Sequence, residues 1–146
     1  MLDELFDTYK KVVDSKKLKL SLSTDRPENF VQIQSDRNRI KQIFCKLLNN
    51  AIKFTREGEI EFGYKMRGKF VEFYVKDNGI GITPENQSLI FERFMQVNAT
   101  NKQLDSGNYL GLSISKALVE KLGGKLGVYS KLGQGSTFIF TIPYAN

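Results

Sequence analysis

The segment Phe70-Val71-Glu72-Phe73-Tyr74-Val75-Lys76 runs without a break into Asp77-Asn78-Gly79-Ile80-Gly81. The first seven residues put Phe70, Glu72 and Tyr74 on one side and Val71, Phe73 and Val75 on the other, the period of two that marks a strand. Two glycines one residue apart then make a turn. A carboxylate at the end of a buried strand is placed to accept a hydrogen bond from the exocyclic amine of adenine. Glycines beside it remove Cβ atoms and let the backbone approach a flat base. The same residues also describe a plain Asp-Asn-Gly turn that ends a hairpin strand. Taken alone, the junction leaves both readings open.

Working outward, a partner strand is predicted over Gly58 to Met66, joined by a turn at Arg67-Gly68. Before it, Ser35 or Asp36 caps a long helix that reaches about Phe54. Its apolar residues Ile40, Ile43, Phe44, Leu47, Leu48, Ala51 and Ile52 form a broad stripe suited to packing on a sheet. At the start, Leu2, Leu5, Phe6, Tyr9, Val12 and Val13 mark an amphipathic helix. A half-buried strand over Leu18 to Ser23 and a short one over Phe30 to Gln34 follow. Downstream come a short helical piece, Ile90 to Phe94, and a polar, aperiodic stretch from Gln96 to Gly107. A helix from Leu110 to Leu122 is ended by Gly123-Gly124. Strands near Lys125 to Tyr129 and Thr137 to Pro143 flank the Gly133-Gln134-Gly135 turn. This order predicts a single α+β domain over residues 1–146, a two-layer α/β sandwich whose mixed sheet is covered on one face by about three helices.

Composition narrows the chemistry. A chain of 146 residues suits one core, and no apolar run reaches the roughly 20 residues of a membrane helix. The acidic, amphipathic start is unlike a secretion signal, so a soluble chain is expected. Cys45 is the single cysteine, which rules out an internal disulfide and fits a reducing compartment. It lies in a helical stretch, where a small buried or half-buried side chain is the expectation. With no histidine at all, Ser-His and Cys-His nucleophilic pairs and histidine general-base chemistry are excluded. Phosphoryl transfer, which relies on positioning and charge, remains open. The net charge of +6 favours anionic ligands only generically. No dense Lys/Arg stripe is interleaved with aromatics, so no nucleic-acid partner is expected.

On the long helix, Lys46, Asn50 and Lys53 fall at i, i+4 and i+7 and share one face. An Asn amide offers Mg²⁺ a neutral oxygen, and a lysine one turn on can reach phosphates. A solvated helix face explains the same spacing. Gly107-Asn108-Tyr109-Leu110-Gly111-Leu112 precedes a helix whose first N–H groups form an anion site. Helix entry and close packing explain those glycines equally well. No Gly-Lys-Ser/Thr follows, so this is not a Walker loop, and the strand-to-helix context of a dinucleotide fingerprint is missing.

The order of these elements is more specific than any one of them. Asn50-Ala51-Ile52-Lys53-Phe54-Thr55, Asp77-x-Gly79-x-Gly81, Phe91-Glu92-Arg93-Phe94, Gly107 to Ile114 and Gly133-x-Gly135-Ser136-Thr137-Phe138 form a five-part signature. It closely resembles the catalytic, ATP-binding domain of sensor histidine kinases of two-component systems, from about Leu2 to Tyr144. The resemblance implies the Bergerat-type fold shared with gyrase, the mismatch-repair ATPase and the ninety-kilodalton heat-shock chaperone. It implies that Asn50 coordinates Mg²⁺, Lys53 contacts phosphate and Asp77 hydrogen-bonds adenine, with Gly79, Gly81 and Ile82 shaping the pocket. Phe91 and Phe94 would mark the base of an ATP lid spanning about 95–108. Gly107, Leu110, Gly111 and Leu112 would close over the phosphates, and Thr137 would support the adenine contact through water.

The resemblance also implies partners. The ATP γ-phosphate would go to a histidine on a separate dimerisation domain of the same parent protein, and then to the aspartate of a response regulator. The chain by itself is expected to be monomeric and cytoplasmic, on a soluble or membrane-anchored parent. Two residues depart from the pattern. Lys46 stands where the family has Asn or a related polar residue and the related ATPases a glutamate base, so net ATP hydrolysis is not the expected reaction. Tyr109 replaces the middle glycine of Gly-x-Gly-Leu-Gly. Together they motivate an alternative, a degenerate pseudokinase or regulatory module with weak or no ATP binding.

Overall fold

A computed structural model describes residues 2–24, 36–91 and 110–143. The expected strand at 30–34, the segment 95–108, and Phe94, Gly107 and Tyr109 lie outside the described residues. Helix α1 (Leu2–Ser15) is followed by strand β1 (Lys19–Thr24) and helix α2 (Arg37–Phe54). Strands β2 (Glu59–Arg67) and β3 (Phe70–Asp77), the single turn α3 (Pro84–Gln87), helix α4 (Leu110–Lys121), and strands β4 (Leu126–Lys131) and β5 (Gly135–Pro143) complete the order.

The strands form one mixed sheet in the order β1-β2-β3-β5-β4. The β1–β2 pair is parallel and the other three pairs are antiparallel. Strand alternation sends Ile60, Phe62, Val71, Phe73, Val75, Phe138, Phe140 and Ile142 to one face, where all are buried. α2 fills that face with Ile43, Phe44, Leu47 and Leu48, none of them exposed to solvent. The Phe44 ring meets Phe62, Phe73 and Phe140 edge-on at centroid distances of 5.9, 5.5 and 5.1 Å, the preferred aromatic geometry. α1 packs beside β1 and α4 beside α2, so the sheet is covered from one side as the sequence predicts. Among the described residues no helix is long and apolar enough to cross a membrane.

Asp36 is the N-cap of α2, and its Oδ1 accepts from Asn38 N at 3.0 Å and Arg39 N at 3.2 Å, satisfying two orphan donors of the first turn. Cys45 is half-buried and free. The short helix differs from the sequence reading. Helical structure falls at Pro84–Gln87, with Thr83 as N-cap and Pro84 in the first turn, where a missing N–H costs nothing. Residues 88–91 continue as a turn, and 92–94 lie outside the described residues.

Candidate functional site

Asp77 ends β3 on the helix-covered face, beside Ile60 of β2 and Ser136 of β5. It is 5% exposed. Its Oδ1 accepts from Gly79 N at 2.8 Å and from Ser136 N at 3.2 Å. Among the described residues nothing bonds Oδ2, so the carboxylate is anchored through one oxygen. Burial pushes the carboxyl up to about 6, against the pull of the two backbone N–H groups. A buried carboxylate fits an amine donor such as the exocyclic group of adenine.

The two glycines are demanded first by the protein's own backbone. A Cβ on Gly79 would sit 2.5 Å from the Phe54 carbonyl oxygen, at the last residue of α2. Gly81 has φ +75°, and a Cβ there would overlap the Lys131 carbonyl. Ile80 N donates to Phe54 O at 3.3 Å, and Ile80 O accepts from Gly133 N at 2.7 Å. The loop after β3 is therefore clamped between the end of α2 and the β4–β5 turn. Closeness of protein to protein, rather than of backbone to base alone, explains why only glycine fits.

That clamp brings the last turn of α2 to Asp77. Asn50 is half-buried and Lys53 is exposed in that last turn, with Lys46 exposed one turn before Asn50. Thr55, the C-cap residue of α2, is 2% exposed, and its hydroxyl has no hydrogen-bond partner among the described residues. No group of three or more His, Cys, Asp or Glu side chains is placed to hold a metal among the described residues. A bound nucleotide and water are able to supply further oxygen ligands to a cation at Asn50.

The other sequence-predicted residues divide. Ile82 is buried, with its N–H bonded to Ser130 Oγ at 2.7 Å. Phe91 is half-buried and packs edge-on against Phe138 at 6.3 Å. Leu110 and Gly111 lie in the first turn of α4, whereas the Leu112 side chain is wholly buried in the core. The Leu112 side chain is therefore not accessible to a ligand. Thr137 is not brought to Asp77. It pairs with Lys76, one step off in register, so alternation points it to the opposite face of the sheet. Ser136 occupies the position beside Asp77 instead. The motif's Ser-Thr pair hides this by one residue, and the pairing register separates the two.

Two residues that no motif marks, Ser130 and Gln87, join the loop after β3 to β4 and β5. Gln87 Nε2 donates to Ile82 O at 2.8 Å and to Ser130 O at 3.0 Å. Ser130 Oγ lies 2.9 Å from Gly135 O and 2.8 Å from Ser136 Oγ. Nothing in the spacing of a lone serine and a lone glutamine marks them, because the contacts span 43 and 48 residues.

A two-layer sandwich with a buried acidic residue at a strand end, held against the last turn of its longest helix, has its counterpart among nucleotide-binding ATPase domains. Residues 35–146 match the family of histidine kinase-, DNA gyrase B- and HSP90-like ATPases. The chain belongs to that family and carries its ATP-binding domain. It is 40% identical to hybrid signal transduction histidine kinase B of Dictyostelium discoideum over 98% of this chain and 8% of that protein. Among solved structures, full-length ShkA in complex with AMPPNP superposes with a TM-score of 0.86 at 30% identity, over 99% of this chain and 29% of that one. The catalytic domain of the histidine kinase ThkA, in a nucleotide-free form, gives 0.81 at 27% identity over 97% and 89%. ThkA in complex with the response regulator protein TrrA gives 0.78 at 27% identity over 99% and 39%. The chain spans between 8% and 17% of the length of the first curated relatives it matches.

Proposed function

We propose that this chain is the catalytic domain of a two-component sensor histidine kinase, which binds Mg·ATP and offers its γ-phosphate to a histidine on a separate dimerisation domain. The observation that carries this is Asp77, buried and anchored through one oxygen, with no partner on the other among the described residues. In this reading Asp77 accepts from the adenine amine, and the loop from Gly79 to Ile82 forms the wall of the pocket. Asn50 contributes a neutral oxygen to the metal and Lys53 a positive charge to the phosphates. Magnesium, when bound with the nucleotide, neutralises charge on the phosphate oxygens. Phe91 marks the start of the lid over 95–108, and Gly107, Leu110, Gly111 and Leu112 supply backbone at the phosphate end. Residues 1–146 act as one domain, monomeric alone and on the cytoplasmic side, where ATP is found.

The absence of histidine from the chain fits transfer in trans. The phosphoryl group would leave ATP for an imidazole nitrogen, with ADP as leaving group, and pass next to the aspartate of a response regulator. Mixing the chain with the dimerisation domain of its parent and labelled ATP tests this. Acid-labile label on that domain, absent with Asp77→Asn, is expected. A chain that binds ATP yet labels no histidine would overturn the kinase reading. Lys46 is exposed and Tyr109 lies outside the described residues, so no observation favours the degenerate module.

A further inference from the structure

We infer that Ser130 and Gln87 are positioning residues that hold the Asp77 loop in register with β4 and β5, and so set selectivity for adenine over other purines. Ser130 Oγ has one proton and, among the described residues, three neighbours, Ile82 N at 2.7 Å, Gly135 O at 2.9 Å and Ser136 Oγ at 2.8 Å. One arrangement satisfies all of them. Ile82 N–H and the Ser136 hydroxyl donate to Ser130, and Ser130 donates to the Gly135 carbonyl. Gln87 completes the clamp with both protons of its amide, one on Ile82 O and one on Ser130 O. Both backbone polar groups of Ile82 are thereby fixed to side chains from elsewhere in the fold.

The clamp reaches the carboxylate by a short path. Ser136, bonded to Ser130 through its hydroxyl, donates its backbone N–H to Asp77 Oδ1. Ile82 closes the loop whose Gly79 N–H is the second donor to that oxygen. Losing the Ser130 hydroxyl would leave Ile82 N–H, Gly135 O and the Ser136 hydroxyl without this partner and free both sides of Asp77 to shift. A shift of that kind spares the phosphate end. It weakens an interaction that tells an amino purine from an oxo purine, because a carboxylate accepts from a 6-amino group and opposes a 6-oxo group.

The inference rests on Asp77 being the adenine acceptor, and the test separates the two claims. ATP and ITP are titrated into the 146-residue chain as wild type, Ser130→Ala, Ser130→Thr and Gln87→Leu, with thermal melts alongside. Wild type is expected to prefer ATP. Ser130→Ala and Gln87→Leu should lose about tenfold in ATP affinity with ITP changed less than about twofold, the scale of one displaced hydrogen bond to a charged group. Ser130→Thr, which keeps the hydroxyl, should restore the preference. Equal weakening of both nucleotides, or a lower melting temperature with the ATP-to-ITP ratio intact, would reduce the pair to a structural role and overturn the inference. If Ser130→Ala does not fold, Gln87→Leu decides by the same criterion. A wild type that binds ATP and ITP alike overturns the Asp77 reading, and the clamp's role in selectivity with it.

Discussion

Burial raises the Asp77 carboxyl from its ordinary 3.8 to about 6, and two backbone donors do not offset that desolvation. A raised folded value means that the fold favours the protonated form. The group's contribution to stability is complete below about pH 4 and is lost as pH rises through about 6. Above that, holding the charge costs about 3 kcal/mol, since each unit is worth about 1.4 kcal/mol. Asp77→Asn is therefore expected to melt higher than wild type at pH 8, with the gap closing towards pH 4, as melting curves across that range would show. The same variant should lose roughly 10–100-fold in ATP affinity, the range of a hydrogen bond to a charged acceptor. Stability rising while binding falls would mark a residue retained for its ligand. Ligand binding at the carboxylate favours the charged form, so ATP affinity of the wild type should weaken as pH falls below about 6.

The elements around that residue were legible in the sequence to different degrees. α2 was readable because its apolar stripe and the Asp36 cap both point to one helix, and β3 because its alternation runs straight into Asp77. α3 was not, since a single turn begun by Thr83-Pro84 has no period to detect. Which of Ser136 and Thr137 lies beside Asp77 depends on register with β3, which no local pattern carries. The spacing of the glycines was visible, but the Lys131 carbonyl behind Gly81 was not. Gly81→Ala, at φ +75° and against that carbonyl, should destabilise the domain by about 2–4 kcal/mol in urea denaturation, a strain and overlap effect. At the end of α1, Lys17 has φ +60°, a conformation glycine adopts without the Cβ penalty. Lys17→Gly should stabilise by about 1 kcal/mol, measured the same way.

For the whole molecule, fold and family were written in the order of the motifs, while the lines of force between them were not. Ser130 and Gln87 tie β4, the Asp77 loop and α3 into one unit across 43 to 48 residues of chain. The core on which this rests is aromatic, and Phe44 is its hub. Phe44→Ala should cost about 3–5 kcal/mol, the usual loss for a buried phenylalanine, and remove ATP binding only by unfolding the domain. The two effects separate in a melt run with and without nucleotide, because a folded but site-deficient variant melts normally and gains nothing from ligand. The measurement that tests the kinase-type nucleotide site most directly is calorimetric titration of a non-hydrolysable ATP analogue into the chain and into Asp77→Asn, with and without Mg²⁺. Binding in the micromolar range that strengthens with Mg²⁺ and collapses in the variant is expected, about 8 kcal/mol of free energy for the wild type. An intact, folded wild type with no detectable binding, or binding indifferent to Asp77, would contradict it.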